Sequence, residues 1–261
     1  MLINSVALIL EETLEAALLI SMLLAMTGPW LKSKAWLLYS FLLGFLVAYG
    51  YASAMADISE WFNYAGQEVL NAFLQAMIAL LLMLLSWQLY SAATAIKPGV
   101  LMVCCASAVV FSICREGAEI LLYLKGFSSN HEAYPAVMIG SGLGFGIGIS
   151  VGVLLYYGLI NVSAPYRSRV YGVLLAIFSG NMLSQATLQL TQADWLPAAH
   201  PLWDSSYWVA EHSITGHILY SLIGYEATPS GLQIIAYVSG ILSVFLITML
   251  ARRRAQGMVS L

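Results

Sequence analysis

Long apolar runs follow one another along this chain, separated by short polar stretches. Each run is about 20 residues long, the length of α-helix that crosses the hydrocarbon core of a bilayer. The predicted spans are about 4–27, 35–56, 69–91, 100–124, 136–160, 170–191 and 231–250. The pattern therefore predicts an all-α integral membrane protein with seven transmembrane helices and a single membrane domain.

Composition supports this class. Hydrophobic residues make up 61% of the 261 positions and charged residues only 9%, whereas soluble proteins carry about 25% charged residues. The net charge of −3 argues against a nucleic-acid partner. The first apolar run has no Lys or Arg before it and is too long for a signal-peptide core, so we expect it to be retained as the first span.

The basic residues predict an orientation in the membrane. Threading seven spans places eight of the ten at one end: Lys32, Lys34, Lys97, Arg167, Arg169, Arg252, Arg253 and Arg254. Because basic residues are enriched in cytoplasmic loops, this end is expected to be cytoplasmic. The N-terminus and the loop 192–230 then lie outside, the C-terminus lies in the cytoplasm, and the location is the cytoplasmic (inner) membrane.

The chain also divides into two similar halves, 4–91 and 100–191, with three spans in each. The second span of each half carries small residues at every fourth position, a spacing that lets helix backbones approach closely. These residues are Gly44, Ala48, Ala52, Ala56, Gly140, Gly144, Gly148 and Gly152. Halves of three spans insert with opposite orientation, which predicts an inverted repeat with a site near the midplane. The seventh helix, 231–250, lies outside the repeat.

Charged residues interrupt two of the predicted spans. They are Glu11, Glu12 and Glu15 in span 1, and Arg115, Glu116 and Glu119 in span 4. Each group shares one arc of its helix. At 1.5 Å per residue, Glu12 and Glu116 both lie roughly 12 Å below the outer boundary. The simplest arrangement is therefore one site shared by the two helices.

Ionised groups at mid-span cost about 2.5–3.5 kcal/mol each, so these six must pair, protonate or hold a cation. Arg115 can pair with Glu119 one turn away, which leaves four glutamates without a positive partner. Carboxylate oxygens suit hard cations. The sequence thus predicts a metal site formed by the five glutamates, with Arg115 as its charge partner. The alternative is an ion-pair network that only joins the two helices.

Four further residues are secondary candidates. Gln75 and Gln185 are predicted to line a pathway, although such polar residues more often join helices. Asp204 and Glu211 in the external loop could capture metal outside the membrane. The alternative is an ordinary solvated loop, anchored at the headgroups by interfacial aromatic residues.

The stretch Arg115-Glu-Gly-Ala-Glu119 resembles the motif of the high-affinity, oxidase-coupled iron permease family, as found in its bacterial-type members. Members carry Arg-Glu-Gly-x-Glu in spans 1 and 4 of a seven-span fold. The segments Trp203–Ser206, Gly216–Tyr220 and Gly224–Ser230 are similar to the closing segment of that family.

The resemblance implies that Glu116 and Glu119 bind iron during transport, with Glu12 and Glu15 as their counterparts in span 1. It also implies iron as the transported substrate, no organic cofactor, and an external protein that oxidises or delivers iron. The match departs from the family at Glu11, where an arginine is usual, and at Thr13, where a glycine is usual. This more negative site keeps divalent iron, manganese or lead open as alternative substrates.

We therefore expect a permease that moves iron inward, and no enzyme. An intramembrane enzyme is the weaker alternative, because no histidine lies in a predicted span and an HExxH zinc site cannot form there. Gly140-Ser-Gly142 resembles a nucleophile turn only superficially, since no base in a span could activate the serine.

Overall fold

The computed structural model describes residues 1–91, 96–130, 132–210 and 213–259, with side chains up to residue 256. The described residues form ten helices and no β-strand. The helices are α1 (Leu2–Thr27), α2 (Ala35–Ser53), α3 (Met55–Ser59), α4 (Trp61–Tyr64), α5 (Gly66–Tyr90), α6 (Pro98–Phe127), α7 (Tyr134–Ile160), α8 (Ala164–Gln192), α9 (Ile214–Ile223) and α10 (Gly231–Val259).

Six of these helices are long and apolar enough to cross a membrane: α2, α5, α6, α7, α8 and α10. They coincide with six of the seven predicted spans, which confirms the all-α, multi-pass membrane class. In the most apolar stretches of α7 and α10, only 22% and 17% of the residues are buried. Apolar surface of this extent is stable only against lipid or another protein, and the length of these helices fits a bilayer.

The helix α1 differs from these six because it carries three glutamates. It lies inside the bundle, where α7, α6 and α9 pack against it, and most of its residues are buried. A charged side chain on α1 can therefore be held by protein groups rather than exposed to lipid.

The small-residue stripes lie where helices pack closely, except for Ala56, which lies in α3 beyond the end of α2 and is exposed. Gly144 and Gly148 of α7 face α1, and a Cβ added at Gly144 would lie 2.6 Å from the carbonyl oxygen of Val6. On the opposite side of the bundle, Gly44 of α2 faces α6, where an added Cβ would lie 2.9 Å from the Cβ of Ile113. The absence of side chains at these positions allows both close approaches, as the spacing predicted.

Two helices extend beyond the predicted spans. The prediction started span 6 at 170, but α8 begins at Ala164; it ended span 7 at 250, but α10 continues to Val259. The added residues include Arg167, Arg169 and Arg252. Hydropathy located only the apolar part of each helix, whereas the backbone hydrogen bonds continue into its polar end.

The loop 192–230 is not wholly a solvated connection. Residues 214–223 form α9, which packs against α1. Ser213 caps its start by accepting a hydrogen bond from the Gly216 N–H at 3.0 Å, and Gly224 ends it with a φ of 69°. The cap and the left-handed glycine are ordinary helix boundaries.

The contact between α7 and α1 can be tested with two neighbouring glycines. Gly144→Ala should destabilise the protein by about 1–3 kcal/mol, because the new methyl group meets backbone atoms that cannot move aside. Gly146→Ala is the matched control, since an added Cβ there meets nothing within 4 Å. Thermal unfolding of the purified protein in detergent measures both variants, and equal effects would contradict this packing.

Candidate functional site

The guanidinium of Arg115 joins the acidic groups of α1 and α6. Its Nε and Nη2 atoms donate to Glu116 Oε1 at 2.9 and 2.6 Å, and Nη2 also pairs with Glu15 of α1. The three residues are only 5%, 3% and 6% exposed. The two charged groups that the sequence placed at one depth therefore meet in the bundle interior.

The prediction that Arg115 pairs with Glu119 is wrong, because Arg115 pairs with Glu15 and Glu116 instead. Glu119 is half-buried and accepts a hydrogen bond from Asn71 Nδ2 at 3.2 Å. Tyr51 in turn donates to Asn71 Oδ1 at 3.0 Å. Spacing along one helix suggested the Glu119 pair, but the Arg115 side chain turns toward α1, while α5 supplies the partner of Glu119.

The two predicted glutamines belong to the same network. Gln185 Oε1 accepts from Arg115 Nη1 at 2.9 Å and from Gln75 Nε2 at 2.6 Å. Gln185 Nε2 lies 3.4 Å from Glu15 Oε1 and 3.3 Å from Asn181 Oδ1. Both glutamines thus join α5 and α8 to the charged groups, and a role in a pathway stays a prediction.

Two carboxyl groups from different helices also meet. Glu12 of α1 lies within hydrogen-bonding reach of Glu116. Among the described residues, no N–H or O–H donor reaches Glu116 Oε2 or Gln75 Oε1, and both oxygens are buried. An ionised carboxylate can only accept hydrogen bonds. The Glu12–Glu116 contact is therefore stable only with a shared proton or a cation between the two groups.

Glu11 is half-buried and has a partner that the sequence did not suggest. Its Oε2 atom lies 2.7 Å from Nδ1 of His217, which α9 places against α1. The two side chains are 26% and 13% exposed. The helix α9 thus brings a titratable nitrogen beside the glutamate that stands in the place of the family arginine.

Asp204, the external candidate that the structure describes, is not joined to this network by any contact that the structure shows. Asp204 is exposed, and its Oδ1 accepts the backbone N–H of Ser206 at 2.9 Å within its own turn. This hydrogen bond holds the pKa of Asp204 below its ordinary value. Glu211 lies outside the described residues.

The side chains as they stand do not form a completed metal centre. Across 1–91, 96–130, 132–210 and 213–259, no three His, Cys, Asp or Glu groups are arranged to hold a metal ion. The hydrogen bonds explain this arrangement, because Arg115 draws Glu15 and Glu116 to itself while Asn71 holds Glu119. A cation would therefore have to replace protein partners of these carboxylates.

Sequence reasoning underrated three residues of the network: Tyr51, Asn71 and His217. Asn71 belongs to a polar stripe of span 3, and His217 lies in the Gly216–Tyr220 segment of the family resemblance. Both signals were present in the sequence. Tyr51 gave none, because a tyrosine near the end of a span is most often an interfacial anchor.

Comparison with known families decides the class of protein. The chain matches the model of the Iron permease FTR1 family over residues 4–256, nearly its whole length. The chain belongs to this family. A search of curated proteins and a search of solved structures each gave no match.

Membership confirms the resemblance drawn from Arg115–Glu119 and makes the chain a membrane permease with iron as the implied substrate. The family is one of transporters rather than enzymes. The six long apolar helices found in the described ranges require a lipid bilayer around them. The charged network is thus the polar interior of an iron-family permease.

The central ion pair can be tested with a double-mutant cycle. Arg115→Gln should destabilise the permease by about 3–5 kcal/mol, because it leaves Glu15 and Glu116 buried without a positive partner. Adding Glu15→Gln should restore part of the loss, with a coupling of about 0.5–3 kcal/mol. Thermal unfolding in detergent measures the cycle.

Arg254→Gln is the control for loss of an arginine, since Arg254 is exposed at the end of α10. It should change stability by less than about 0.5 kcal/mol. Strictly additive effects of Arg115→Gln and Glu15→Gln would contradict the direct pair.

Proposed function

We propose that this permease moves iron inward across the cytoplasmic (inner) membrane through a carboxylate site shared by α1 and α6. One observation carries the proposal: the carboxyls of half-buried Glu12 and buried Glu116 lie within hydrogen-bonding reach of each other, and Glu116 Oε2 has no donor among the described residues. Unsatisfied buried oxygens are unfavourable, and a hard cation is the ligand that they suit.

The charge balance supports the same conclusion. Four glutamates, Glu12, Glu15, Glu116 and Glu119, lie on α1 and α6 with a single arginine, whereas the fifth, Glu11, has His217 beside it. One guanidinium offsets one carboxylate fully, so the remaining groups need protons or a cation. Iron supplies two or three positive charges at once and is the substrate that the family implies.

In this account, Arg115 pairs with the carboxylates of the site when iron is absent, and iron takes its place at these oxygens. A cation entering between Glu15 and Glu116 competes with the guanidinium for the same oxygens. Gln185 offers the displaced Arg115 an acceptor that it already uses, since Nη1 donates to Gln185 Oε1 at 2.9 Å. Because Arg115 stays in the interior, the charge of iron is balanced only if protonated carboxyl groups of the site release their protons as iron binds.

The outer entrance lies beside α9. Glu11 precedes Glu12 and Glu15 on α1. If the N-terminus lies outside, as the distribution of basic residues predicts, iron reaches the Glu11–His217 contact first. An external protein that oxidises or delivers iron is the expected partner at this face. Asp204 and Glu211 remain candidates for capturing metal there, and Gln75 and Gln185 remain candidates for lining the path.

The architecture proposed for transport has seven spans: the six long apolar helices and, in addition, α1. Its 26 residues reach about 39 Å, enough to cross a bilayer. The packing supports an inverted repeat of 4–91 and 100–191, because α1 packs mainly on α7 and α6 packs mainly on α2. In an inverted repeat, α1 corresponds to α6 and α2 corresponds to α7. Exchanging the two halves therefore turns the α1–α7 pair into the α6–α2 pair, as the repeat requires.

The second candidate function is transport of another cation. Glu11 and Thr13 replace the family arginine and glycine, which makes the site more negative, and His217 adds a nitrogen next to Glu11. Imidazole nitrogen favours transition metals in the divalent state. Divalent iron, manganese and lead are the alternatives, whereas an intramembrane enzyme has no observation in its favour.

Uptake of radioactive iron by cells expressing the permease tests the proposal. Glu116→Gln should lower the initial uptake rate at least tenfold, because the amide removes a charge and an anionic oxygen from the site. Glu60→Gln is the matched control, since Glu60 is exposed between α3 and α4. Expression at the membrane is measured for both variants.

Normal iron uptake by a well-expressed Glu116→Gln variant would contradict the proposed site. Competition in the same assay separates the two candidate functions. Excess manganese or lead should leave iron uptake by the unchanged permease within about twofold. Inhibition by either metal at equal concentration would favour the broader cation permease.

A further inference from the structure

A cavity far from the carboxylate network combines three arginines with an apolar wall. It lies between the first turns of α8 and the last turns of α10 and has a volume of about 570 Å³. Arg169, Arg252 and Arg253 line its polar end. A volume of this size is typical of sites for small molecules, which take roughly 300–1,000 Å³.

The arginines of this cavity lack acidic partners on their own helices. Neither α8 nor α10 contains an Asp or Glu. In the part of the chain that the structure describes, no carboxylate forms an ion pair with Arg169, Arg252 or Arg253. Three neighbouring guanidinium groups repel one another, so the site favours an anion.

One arginine is held in place at the rim. Arg252 Nη2 donates to Ser168 Oγ at 2.9 Å, and its guanidinium carbon lies 4.8 Å from the ring centroid of Tyr90. The Tyr90 hydroxyl donates to the Ser168 carbonyl oxygen, so α5, α8 and α10 meet at this point. A guanidinium fixed in this way loses little further freedom when it binds an oxyanion.

The other wall of the cavity is apolar and faces away from the protein. Val173, Phe245 and Met249 line it, and all three are exposed. They continue along the apolar parts of α8 and α10, which are helices that can cross a membrane. The site therefore offers basic groups at the membrane boundary and an apolar surface directed into the bilayer.

We infer that this cavity binds an anionic phospholipid of the leaflet at the arginine end of the bundle. The phosphate lies on Arg169, Arg252 and Arg253, and an acyl chain follows Val173, Phe245 and Met249. Basic pockets between transmembrane helices on the cytoplasmic side are suited to such headgroups. The inference stands on the charge and shape of this cavity and does not depend on which cation the permease carries.

Native mass spectrometry of the purified permease in detergent tests this site. The protein is titrated with phosphatidylglycerol and, separately, with phosphatidylcholine of the same acyl chains. The unchanged permease should retain phosphatidylglycerol at least fivefold more tightly. The variant Arg169→Gln/Arg253→Gln should weaken that binding by about fivefold for each arginine removed.

The matched control is Lys32→Gln/Arg254→Gln, which removes two charges from the same end of the bundle without altering the cavity lining. It should leave the preference for phosphatidylglycerol within twofold. Equal loss in both double variants would show attraction to surface charge alone and would overturn the site. No loss in Arg169→Gln/Arg253→Gln would overturn it as well.

Three outcomes for the unchanged permease test the inference even if the double variant does not fold. Equal retention of the two lipids by the unchanged permease would overturn the inference. A dimer that excludes phosphatidylglycerol would identify a second copy of this chain as the occupant and would also overturn it. Preferential retention of one phosphatidylglycerol per chain would support it.

Discussion

The buried pairing of Arg115 with Glu15 and Glu116 is the interaction on which the rest of the interior depends. Charges at this depth are tolerated only when protein groups hold them. The pair therefore requires α1 to lie inside the bundle rather than against lipid. The glycines of α7 meet that requirement. Because Gly144 and Gly148 have no side chains, the backbone and Cβ atoms of α1 can approach α7 closely.

The same network contains more acidic groups than its basic groups can satisfy. Arg115 satisfies two of the carboxylates, and Asn71 satisfies a third. Glu12 is left beside Glu116, whose second oxygen has no donor in the described part of the chain. A network that served only to join α1 and α6 would not need more acids than its basic groups can offset. The excess is the feature that points to a transported cation, and family membership makes iron the substrate to expect.

Much of the fold could be predicted from the sequence because the bilayer imposes a simple rule on helix length and polarity. That rule located the six apolar helices, and the four-residue spacing of small residues located the close helix contacts. The bilayer rule misjudged the ends of α8 and α10, which continue as polar helix, and it overlooked α9, whose ten residues are too short for a span. The acidic groups were found because charges stand out in apolar runs. Their partners were not, since spacing along one helix cannot reveal that Arg115 turns toward Glu15 or that His217 reaches Glu11.

The most direct test of the central claim is a structure of the permease soaked with iron, with the metal located by anomalous scattering at the iron edge. The account predicts an iron peak between α1 and α6, bound by carboxylate oxygens that include Glu12 and Glu116. It also predicts that the Arg115 guanidinium has moved off Glu15 or Glu116. Iron bound elsewhere in the bundle, with both Arg115 ion pairs intact, would contradict the account.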